Sequence, residues 1–284
     1  MKFTDLFKRK TTVVTATTKG KEVITPDAPS VNECSEKGDN KNAFDKVSPK
    51  DVGKLDMVIA FDTTGSMSAY IDAVRKEVSD LIPRLFKDNE DLRLGLVAFG
   101  DYCDMKNPQD FGNAYQCIMP TNDEVALIKF VKESRNTYGG DGNEFYELVI
   151  KKIVEETPWR EGADKAILLI ADAAPHELGY TYLNYVVNNQ IDWRVEAEKA
   201  AANKIKIDTV TITGERWYKE LSAMTNGISV PFESGYKTAR LVEAATLSRG
   251  SFKQRQKFDE MEASCSDDEM KSVYASYRVE RDSF

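Results

Sequence analysis

One carboxylate and two hydroxyls alternate along the segment FDTTGSMS, as Asp62, Thr64 and Ser66. In a tight turn, side chains two residues apart can direct their oxygens toward one point. A carboxylate with two hydroxyls is a set of hard oxygen donors, which suits Mg²⁺ or Mn²⁺ and does not suit zinc. The segment therefore predicts a divalent-cation site. The alternative is a polar turn in which Thr64 or Ser66 caps the helix that follows.

Two further acids, Asp141 and Asp172, are expected at the same ion. Asp172 ends the apolar run LLIAD, and Asp141 lies in the glycine-rich turn YGGDGN. Ligands of an open parallel sheet gather beyond the carboxyl ends of its strands, near the point where the strand order reverses. Three loops that are distant in sequence are thus expected to converge on one metal ion.

Three other residues are candidates for a supporting role, as hydrogen-bond partners of the ligands or as contacts of a partner molecule: Asp101, His176 and Ser68. His176 is the only histidine of the chain and follows Asp172 in the same loop. Asp101 follows another apolar run, so it is expected at the same end of the sheet. For His176 and Asp101 the alternative is an ordinary solvated loop residue.

The elements that must position these loops alternate between short apolar runs and amphipathic segments. Strands are predicted at 55–61, 92–99, 165–172, 205–212 and 227–232, with an edge strand around 115–120, and helices at 68–86, 123–134, 144–156, 194–204 and 215–225. Continuous apolar runs of this length are typical of strands buried on both faces. Strands alternating with helices imply right-handed crossovers. The predicted fold is α/β, with a doubly wound, mostly parallel Rossmann-like sheet and helices on both faces.

The DTTGS segment resembles the DxSxS signature of the metal-ion-dependent adhesion site (MIDAS) of von Willebrand factor A (VWA) domains. Asp62, Thr64 and Ser66 carry over directly, with Thr64 in the first hydroxyl position. Asp141 falls where the family usually has a threonine, and Asp172 matches the family's aspartate at a strand end. The resemblance covers residues 55 to about 240. It implies a VWA fold and a non-enzymatic module that binds a protein partner through its ion.

Four segments together resemble, more narrowly, the A domains that accompany α-kinases: LDMVIAFDTTGSM, LRLGLVAFGDYCD, YGGDGNE and ILLIADAAPH. An aspartate in the third position is familiar there, and no kinase is implied. In the usual family site, two carboxylates leave the ion roughly neutral and able to accept an acidic side chain of the partner. With Asp141 as a third ionised acid, the site's charge would be about −1. This predicts tighter cation binding, weaker recruitment of an acidic partner and a larger structural role for the ion.

The DTTGS segment also resembles the DKTGT motif of haloacid-dehalogenase-type phosphatases and ion-pumping ATPases. On that alternative the protein is a Mg²⁺-dependent phosphoryl-transfer enzyme with Asp62 as its nucleophile. Such enzymes require a second acidic pair on a later strand and a lysine near the phosphate. The segment ADAAPH offers one acid, and no lysine follows at a comparable strand end. The expectation is therefore that the protein is not an enzyme.

Composition excludes several classes of partner and location. The 284 residues carry a net charge of −8 and a pI near 5.0, which argues against binding to nucleic acid. No apolar run approaches the roughly 20 residues of a membrane span, and the start lacks a signal-peptide pattern. Four widely spaced cysteines favour reduced thiols. A cytoplasmic protein without a transmembrane segment is expected.

The chain is predicted to contain one domain with two tails. Residues 1–50 are rich in polar and charged side chains and are predicted to form a flexible N-terminal arm. Residues 51–250 are predicted to form the VWA domain. Residues 251–284 form a charged C-terminal extension, for which a helix packed on the domain and a partly ordered segment are both open.

Overall fold

The computed structural model describes residues 53–107, 109–181, 189–232 and 236–282. The predicted N-terminal arm, residues 1–50, lies outside the described residues. The described strands are β1 (Leu55–Asp62), β2 (Leu92–Phe99), β3 (Tyr115–Thr121), β4 (Asn143–Glu144), β5 (Asp164–Ala171), β6 (Ala174–Pro175), β7 (Ile205–Thr211) and β8 (Ser229–Pro231). The described α-helices are α1 (Ile71–Asp88), α2 (Glu124–Glu133), α3 (Tyr146–Glu156), α4 (Trp193–Ala202), α5 (Arg216–Met224), α6 (Tyr236–Ser248), α7 (Phe252–Ala263) and α8 (Asp268–Asp282).

Six strands form one sheet in the order β3-β2-β1-β5-β7-β8. All neighbours in this sheet are parallel except β2 and β3, so the predicted edge strand is the antiparallel one. Strands β4 and β6 pair with each other in a separate two-stranded parallel sheet. The α/β fold with a mostly parallel sheet is therefore confirmed.

Side chains of the central strands alternate between two hydrophobic clusters, one on each face of the sheet. In β1, Met57, Ile59 and Phe61 belong to the cluster that also contains buried residues of α1, whereas Val58 and Ala60 belong to the cluster formed with α3, α4 and α5. Alternation is what a strand with both faces covered requires, because successive side chains point to opposite faces. The helices therefore lie on both faces of the sheet, as predicted.

The helix predicted at 68–86 begins later and ends later than the sequence pattern indicates. A short 3₁₀-helix, Gly65–Ala69, comes first, and α1 then runs from Ile71 to Asp88 with Pro83 inside it. The predicted helix at 144–156 also starts late, because Glu144 belongs to β4 and α3 begins at Tyr146. Both late starts lie at the end of the sheet where the predicted ligands are found.

The last two helices, α7 and α8, pack against α6 and contribute to the hydrophobic cluster that also contains α1. Phe258 of α7 and Met270 and Tyr274 of α8 are buried in the same cluster as Met57 of β1. The segment after residue 250 is thus a packed helical extension over its described residues, which is one of the two alternatives that the sequence left open. No helix in the described ranges is long and apolar enough to span a membrane.

The point where the strand order reverses lies between β1 and β5. The chain passes from β1 outward to β2 and β3, and then returns to β5 on the other side of β1. The loops at the carboxyl ends of β1 and β5 therefore diverge to opposite faces, which opens a crevice between them. Asp62 ends β1, and Asp172 directly follows β5.

Candidate metal centre

Four of the five predicted ligands are joined by a chain of short oxygen contacts. Asp62 Oδ1 accepts hydrogen bonds from the backbone N–H of Thr64 at 2.8 Å and from its hydroxyl at 2.7 Å. Thr64 Oγ1 lies 3.1 Å from Ser66 Oγ, which donates to Asp172 Oδ1 at 3.1 Å. The structure thus brings Asp62, Thr64, Ser66 and Asp172 together, from loops that follow β1 and β5.

Tyr146, the first residue of α3, forms a hydrogen bond with the second oxygen of the Asp62 carboxylate. Its hydroxyl donates to Asp62 Oδ2 at 2.6 Å and accepts a hydrogen bond from the backbone N–H of Ala173 at 3.1 Å. The ring is fully buried and stacks on Trp217. Tyr146 therefore couples the loop after β1 to the loop after β5. Sequence reasoning missed this residue, because a tyrosine at the start of an amphipathic helix carries no distinctive signal.

The loop between α2 and α3 packs directly on the loop after β1. The backbone N–H of Thr137 donates to the carbonyl oxygen of Thr63 at 3.0 Å, and that of Gly65 donates to the carbonyl oxygen of Tyr138 at 3.0 Å. A Cβ on Gly65 would lie 2.9 Å from the same Tyr138 oxygen. Gly65 is thus required for the close approach of two backbones. Asp104 holds this loop as well, because its carboxylate accepts from the N–H groups of Tyr138 and Gly139.

Glu144 brings a third carboxyl group to the Asp62 cluster. It lies in β4 opposite Pro175 of β6, so pairing of the two short strands fixes its position beside the loop after β5. The side chain is buried, and Oε2 accepts no hydrogen bond from the described residues. Its carboxyl group interacts with Asp62 and Thr64 of the cluster and also with Asp101. Sequence analysis assigned this residue to the following helix and so missed it.

Asp141 lies in a second group of residues, with Asp101 and His176. Its Oδ1 accepts from the backbone N–H of Asn143 at 2.8 Å, and its Oδ2 accepts from the Tyr180 hydroxyl at 3.0 Å. Asp101, Asp141 and His176 each offer one possible ligand atom, and these three atoms lie within 4.8 Å of one another. The described hydrogen bonds do not join Asp141 to the Asp62 cluster. Its predicted role as a ligand of the same ion stays a prediction.

The family model of the von Willebrand factor type A domain matches residues 56–240 of this chain. The chain belongs to the von Willebrand factor type A domain family. Two solved structures are similar to it. In each comparison the similarity covers 66% of this chain and 95% of the other chain. They are an aerotolerance-related membrane protein from Bacteroides fragilis, at 15% identity and a TM-score of 0.46, and the conserved hypothetical protein BatB from Bacteroides thetaiotaomicron, at 14% and 0.45. Comparison with curated proteins gives no match.

VWA domains are generally non-catalytic, mediate protein interactions and often bind a divalent cation at a MIDAS. The narrower resemblance to the A domains that accompany α-kinases stays a prediction. The DTTGS segment, which contains Asp62, Thr64 and Ser66, resembles the MIDAS signature of the family to which this chain belongs.

The oxygens of this VWA domain's Asp62 cluster lie at separations that the ligands of a six-coordinate ion also have. Magnesium binds oxygen at about 2.1 Å in an octahedron, which puts neighbouring ligand oxygens about 2.9 Å apart. The three side-chain contacts among Asp62, Thr64, Ser66 and Asp172 measure 2.7, 3.1 and 3.1 Å. The buried Oε2 of Glu144 adds an oxygen without a partner among the described residues. The residues present therefore fit a hard divalent cation.

Burial makes the carboxyl groups of the site resist ionisation when no cation balances them. Burial, with a smaller contribution from the Asp172 carboxylate, raises the pKa of Asp62 to about 7, against hydrogen bonds from Tyr146 and Thr64 that lower it. Burial also raises the pKa of Asp172. For Glu144, burial and the charges of Asp62 and Asp101 raise the pKa to about 10. A divalent cation would supply the positive charge that these three acids lack.

The surroundings of the supporting candidates differ from what the sequence suggested. His176 and Asp101 are both buried, and His176 Nε2 lies 2.8 Å from Asp101 Oδ1. The interpretation of either as a solvated loop residue was therefore wrong, because each is enclosed by the other and by the rings of Tyr102 and Tyr180. Ser68 lies exposed in the 3₁₀-helix Gly65–Ala69. Its supporting role stays a prediction.

Proposed function

We propose that this VWA domain binds Mg²⁺, or Mn²⁺ in its place, at the Asp62 cluster and uses the bound ion to hold a protein partner. The observation that carries the proposal is the contact between Ser66 Oγ and Asp172 Oδ1, at 3.1 Å. It closes a chain of four oxygen-bearing side chains from two loops far apart in sequence.

Each residue of the cluster has a role that follows from its chemistry. The resemblance to the MIDAS implies that the hydroxyls of Thr64 and Ser66, which lie 3.1 Å apart, contact the ion directly. The carboxylates of Asp62 and Asp172 would ligate the ion or orient its waters. The third loop would contribute an acid, for which the contacts favour Glu144 over Asp141, the residue that the family pattern selects. The narrower resemblance to A domains that accompany α-kinases also supports an acid in this loop, and no kinase activity is proposed.

Exposure indicates from which side a partner would approach. Asp62 and Thr64 are buried, whereas Ser66 is exposed at the surface. A bound ion would therefore present its open coordination position on the side of Ser66. An acidic side chain of the partner suits that position if only two carboxylates at the site are ionised. A third ionised acid would weaken the attraction and leave the ion with a more structural role.

The alternative of a phosphoryl-transfer enzyme has less support. A nucleophilic carboxylate requires a lone pair directed at the substrate. The Asp62 side chain is 0% exposed, which keeps a phosphate ester from reaching its oxygens. Incubation with Mg²⁺ and a generic phosphate ester tests this alternative. Turnover that is abolished in Asp62→Asn would favour the enzyme over the binding module.

Thermal unfolding with and without Mg²⁺ tests the ion site itself. At a free Mg²⁺ concentration about 100 times the Kd, binding stabilises the fold by about 2.7 kcal/mol. For a domain of this size, such a gain should raise the Tm by about 5–10 °C over the value in chelator. Ser66→Ala and Asp172→Asn should lose most of the increase. Ser276→Ala, which removes an exposed hydroxyl from α8, should keep it. An unchanged Tm of the wild type would contradict the proposal.

Capture of partners with and without chelator tests the second half of the proposal. A protein that binds through the ion should be retained by the wild-type chain in Mg²⁺ and released by chelator. Ser66→Ala should fail to retain it, although this variant is expected to fold. Retention that is equal in Mg²⁺, in chelator and in Ser66→Ala would contradict an ion-dependent interaction.

A further inference from the structure

Asp101, Asp141 and His176 form a group that is chemically different from the Asp62 cluster. The Asp62 cluster offers oxygens only, whereas this second group offers two carboxylates and an imidazole. One ligand atom of each residue lies within 4.8 Å of the other two. Imidazole nitrogen suits zinc and related transition metals, whereas Mg²⁺ prefers oxygen ligands and keeps several of its waters. The two groups would therefore select different ions.

Two buried atoms of this group have no hydrogen-bond partner among the described residues. Asp101 is 0% exposed and His176 is 3% exposed. Asp101 Oδ1 faces His176 Nε2 at 2.8 Å, but the other carboxylate oxygen, Oδ2, accepts no hydrogen bond from the described N–H and O–H groups. His176 Nδ1 is also buried without a partner in the described part of the chain. Burial of a polar atom without a partner costs about 1–3 kcal/mol, so a cation that also contacts Asp101 Oδ2 has an energetic reason to bind.

The protein holds the imidazole ring in place before any ion arrives. The His176 ring stacks on the Tyr180 ring, with centroids 3.7 Å apart. Glu147 accepts the backbone N–H of His176 at 3.2 Å and the Tyr102 hydroxyl at 2.7 Å. A ring fixed on both sides is typical of metal-binding histidines, whose orientation is set by their surroundings. An entry path also exists, because Asp141 is exposed at the surface.

We infer that Asp101, Asp141 and His176 bind one transition-metal ion of the zinc class. Two carboxylates balance the charge of the divalent ion, and the His176 nitrogen supplies the selectivity against Mg²⁺. On binding, the ion takes the place of the contact between His176 Nε2 and Asp101 Oδ1. It also takes the place of the Tyr180 hydroxyl on Asp141. Three protein ligands leave a fourth tetrahedral position for water or for a group of a partner.

Titration of the full chain with Co²⁺ in saturating Mg²⁺ tests this inference, because Co²⁺ replaces Zn²⁺ in such sites and absorbs visible light. The wild type should bind one Co²⁺ with the spectrum of nitrogen and oxygen ligands, and Zn²⁺ should displace it. Asp141→Asn changes an exposed residue, so it should fold and bind Co²⁺ at least about tenfold more weakly. His176→Gln should lose the visible spectrum. Tyr180→Phe, which removes the competing hydroxyl but keeps the ring, should bind Co²⁺ at least as tightly.

Ser66→Ala separates this site from the proposed Mg²⁺ site. It should lose the Mg²⁺-dependent rise in Tm and keep the Co²⁺ spectrum, so either site can fail without the other. Three outcomes would overturn the inference: no Co²⁺ binding in saturating Mg²⁺, equal Co²⁺ affinity in Asp141→Asn and wild type, or a spectrum of thiolate ligation from the cysteines.

Discussion

Asp141 and Glu144 lie three residues apart in one loop, yet Glu144 is buried and Asp141 is exposed. Glu144 interacts with Asp62 and Thr64, whereas Asp141 is held by Asn143 and Tyr180. The motif alone selects Asp141, because it follows the two glycines where the family has its third ligand. The short strand β4 turns Glu144 inward instead, through pairing with β6. At the residue scale, the question is therefore which of the two acids an ion would use.

Substitution of each acid by its amide distinguishes them. If Glu144 is the third-loop ligand, Glu144→Gln should weaken Mg²⁺ binding by about tenfold or more, because a ligand oxygen with charge becomes a neutral amide. Asp141→Asn should leave Mg²⁺ affinity close to that of the wild type. Calorimetric titration of both variants with Mg²⁺ gives the two affinities. The reverse pattern would restore Asp141 to the position that the sequence predicts for it.

Much of the Asp62 cluster could be predicted from the sequence, and its limits have physical causes. Asp62, Thr64 and Ser66 share one turn, so their convergence follows from local spacing. Asp172 could be predicted as well, because the carboxyl ends of neighbouring parallel strands meet. Glu144 and Tyr146 could not, since they depend on a two-residue strand pairing and on where α3 begins. The burial of His176 and Asp101 depends on aromatic packing between loops, which leaves no periodic pattern in the sequence.

At the scale of elements, α3 connects the two loops that carry the ligands. Its first residue, Tyr146, donates to Asp62 at the end of β1 and accepts from Ala173 after β5. The amphipathic pattern correctly predicts this helix but gives its start two residues early. The hydrophobic pattern defines the buried face of a helix, whereas the first turn here is determined by β4. The error in the helix boundary thus coincides with the functional end of the element.

Tyr146→Phe should reduce stability through this connection. The substitution leaves the N–H of Ala173 and one oxygen of Asp62 without their buried partner, which should cost about 1–3 kcal/mol. Tyr274→Phe is the control, because it removes the hydroxyl of an equally buried tyrosine in α8, on the other face of the sheet. Urea unfolding at neutral pH measures both. An equal loss of stability in the two variants would show that the Tyr146 hydroxyl has no special role.

At the scale of the whole molecule, β1 carries an acid at each end, and the two serve different purposes. Asp62 at the carboxyl end belongs to the candidate metal centre. Asp56 near the amino end is buried and accepts hydrogen bonds from Arg93 and Arg160, at 3.0 and 2.8 Å from their Nε atoms. These arginines come from β2 and from the segment before β5, so the ion pairs hold three neighbouring segments together. The fold and its central strands follow from hydrophobic pattern, whereas these partners of Asp56 were not predicted.

Asp56→Asn should therefore destabilise the fold without changing Mg²⁺ affinity. Burial acts to raise the pKa of Asp56, but hydrogen bonds from Arg93 and Arg160 outweigh it and hold the pKa below its ordinary value of 3.8. The stabilisation is then complete above that value and is lost as the pH falls through the lower pKa of the folded state. At pH 7 the variant should lose about 2–4 kcal/mol, a loss that shrinks below about pH 4.

Asp80→Asn is the control for Asp56→Asn, since Asp80 pairs with Lys76 at the exposed surface of α1. An exposed pair of this kind contributes at most about 1 kcal/mol. Urea unfolding of both variants across pH 3 to 7 makes the comparison. If Asp56→Asn were no less stable than Asp80→Asn at neutral pH, the buried ion pairs would have no net stabilising effect.

Anomalous scattering from a crystal grown with Mn²⁺ shows directly whether a divalent cation binds where the loops after β1 and β5 meet. We expect an anomalous peak within about 2.0–2.3 Å of the hydroxyl oxygens of Thr64 and Ser66, beside Asp62 and Asp172. Crystals of Ser66→Ala should lose this peak. If the wild type has no peak beside Thr64 and Ser66, whatever is bound elsewhere, the cation site proposed at the Asp62 cluster is wrong.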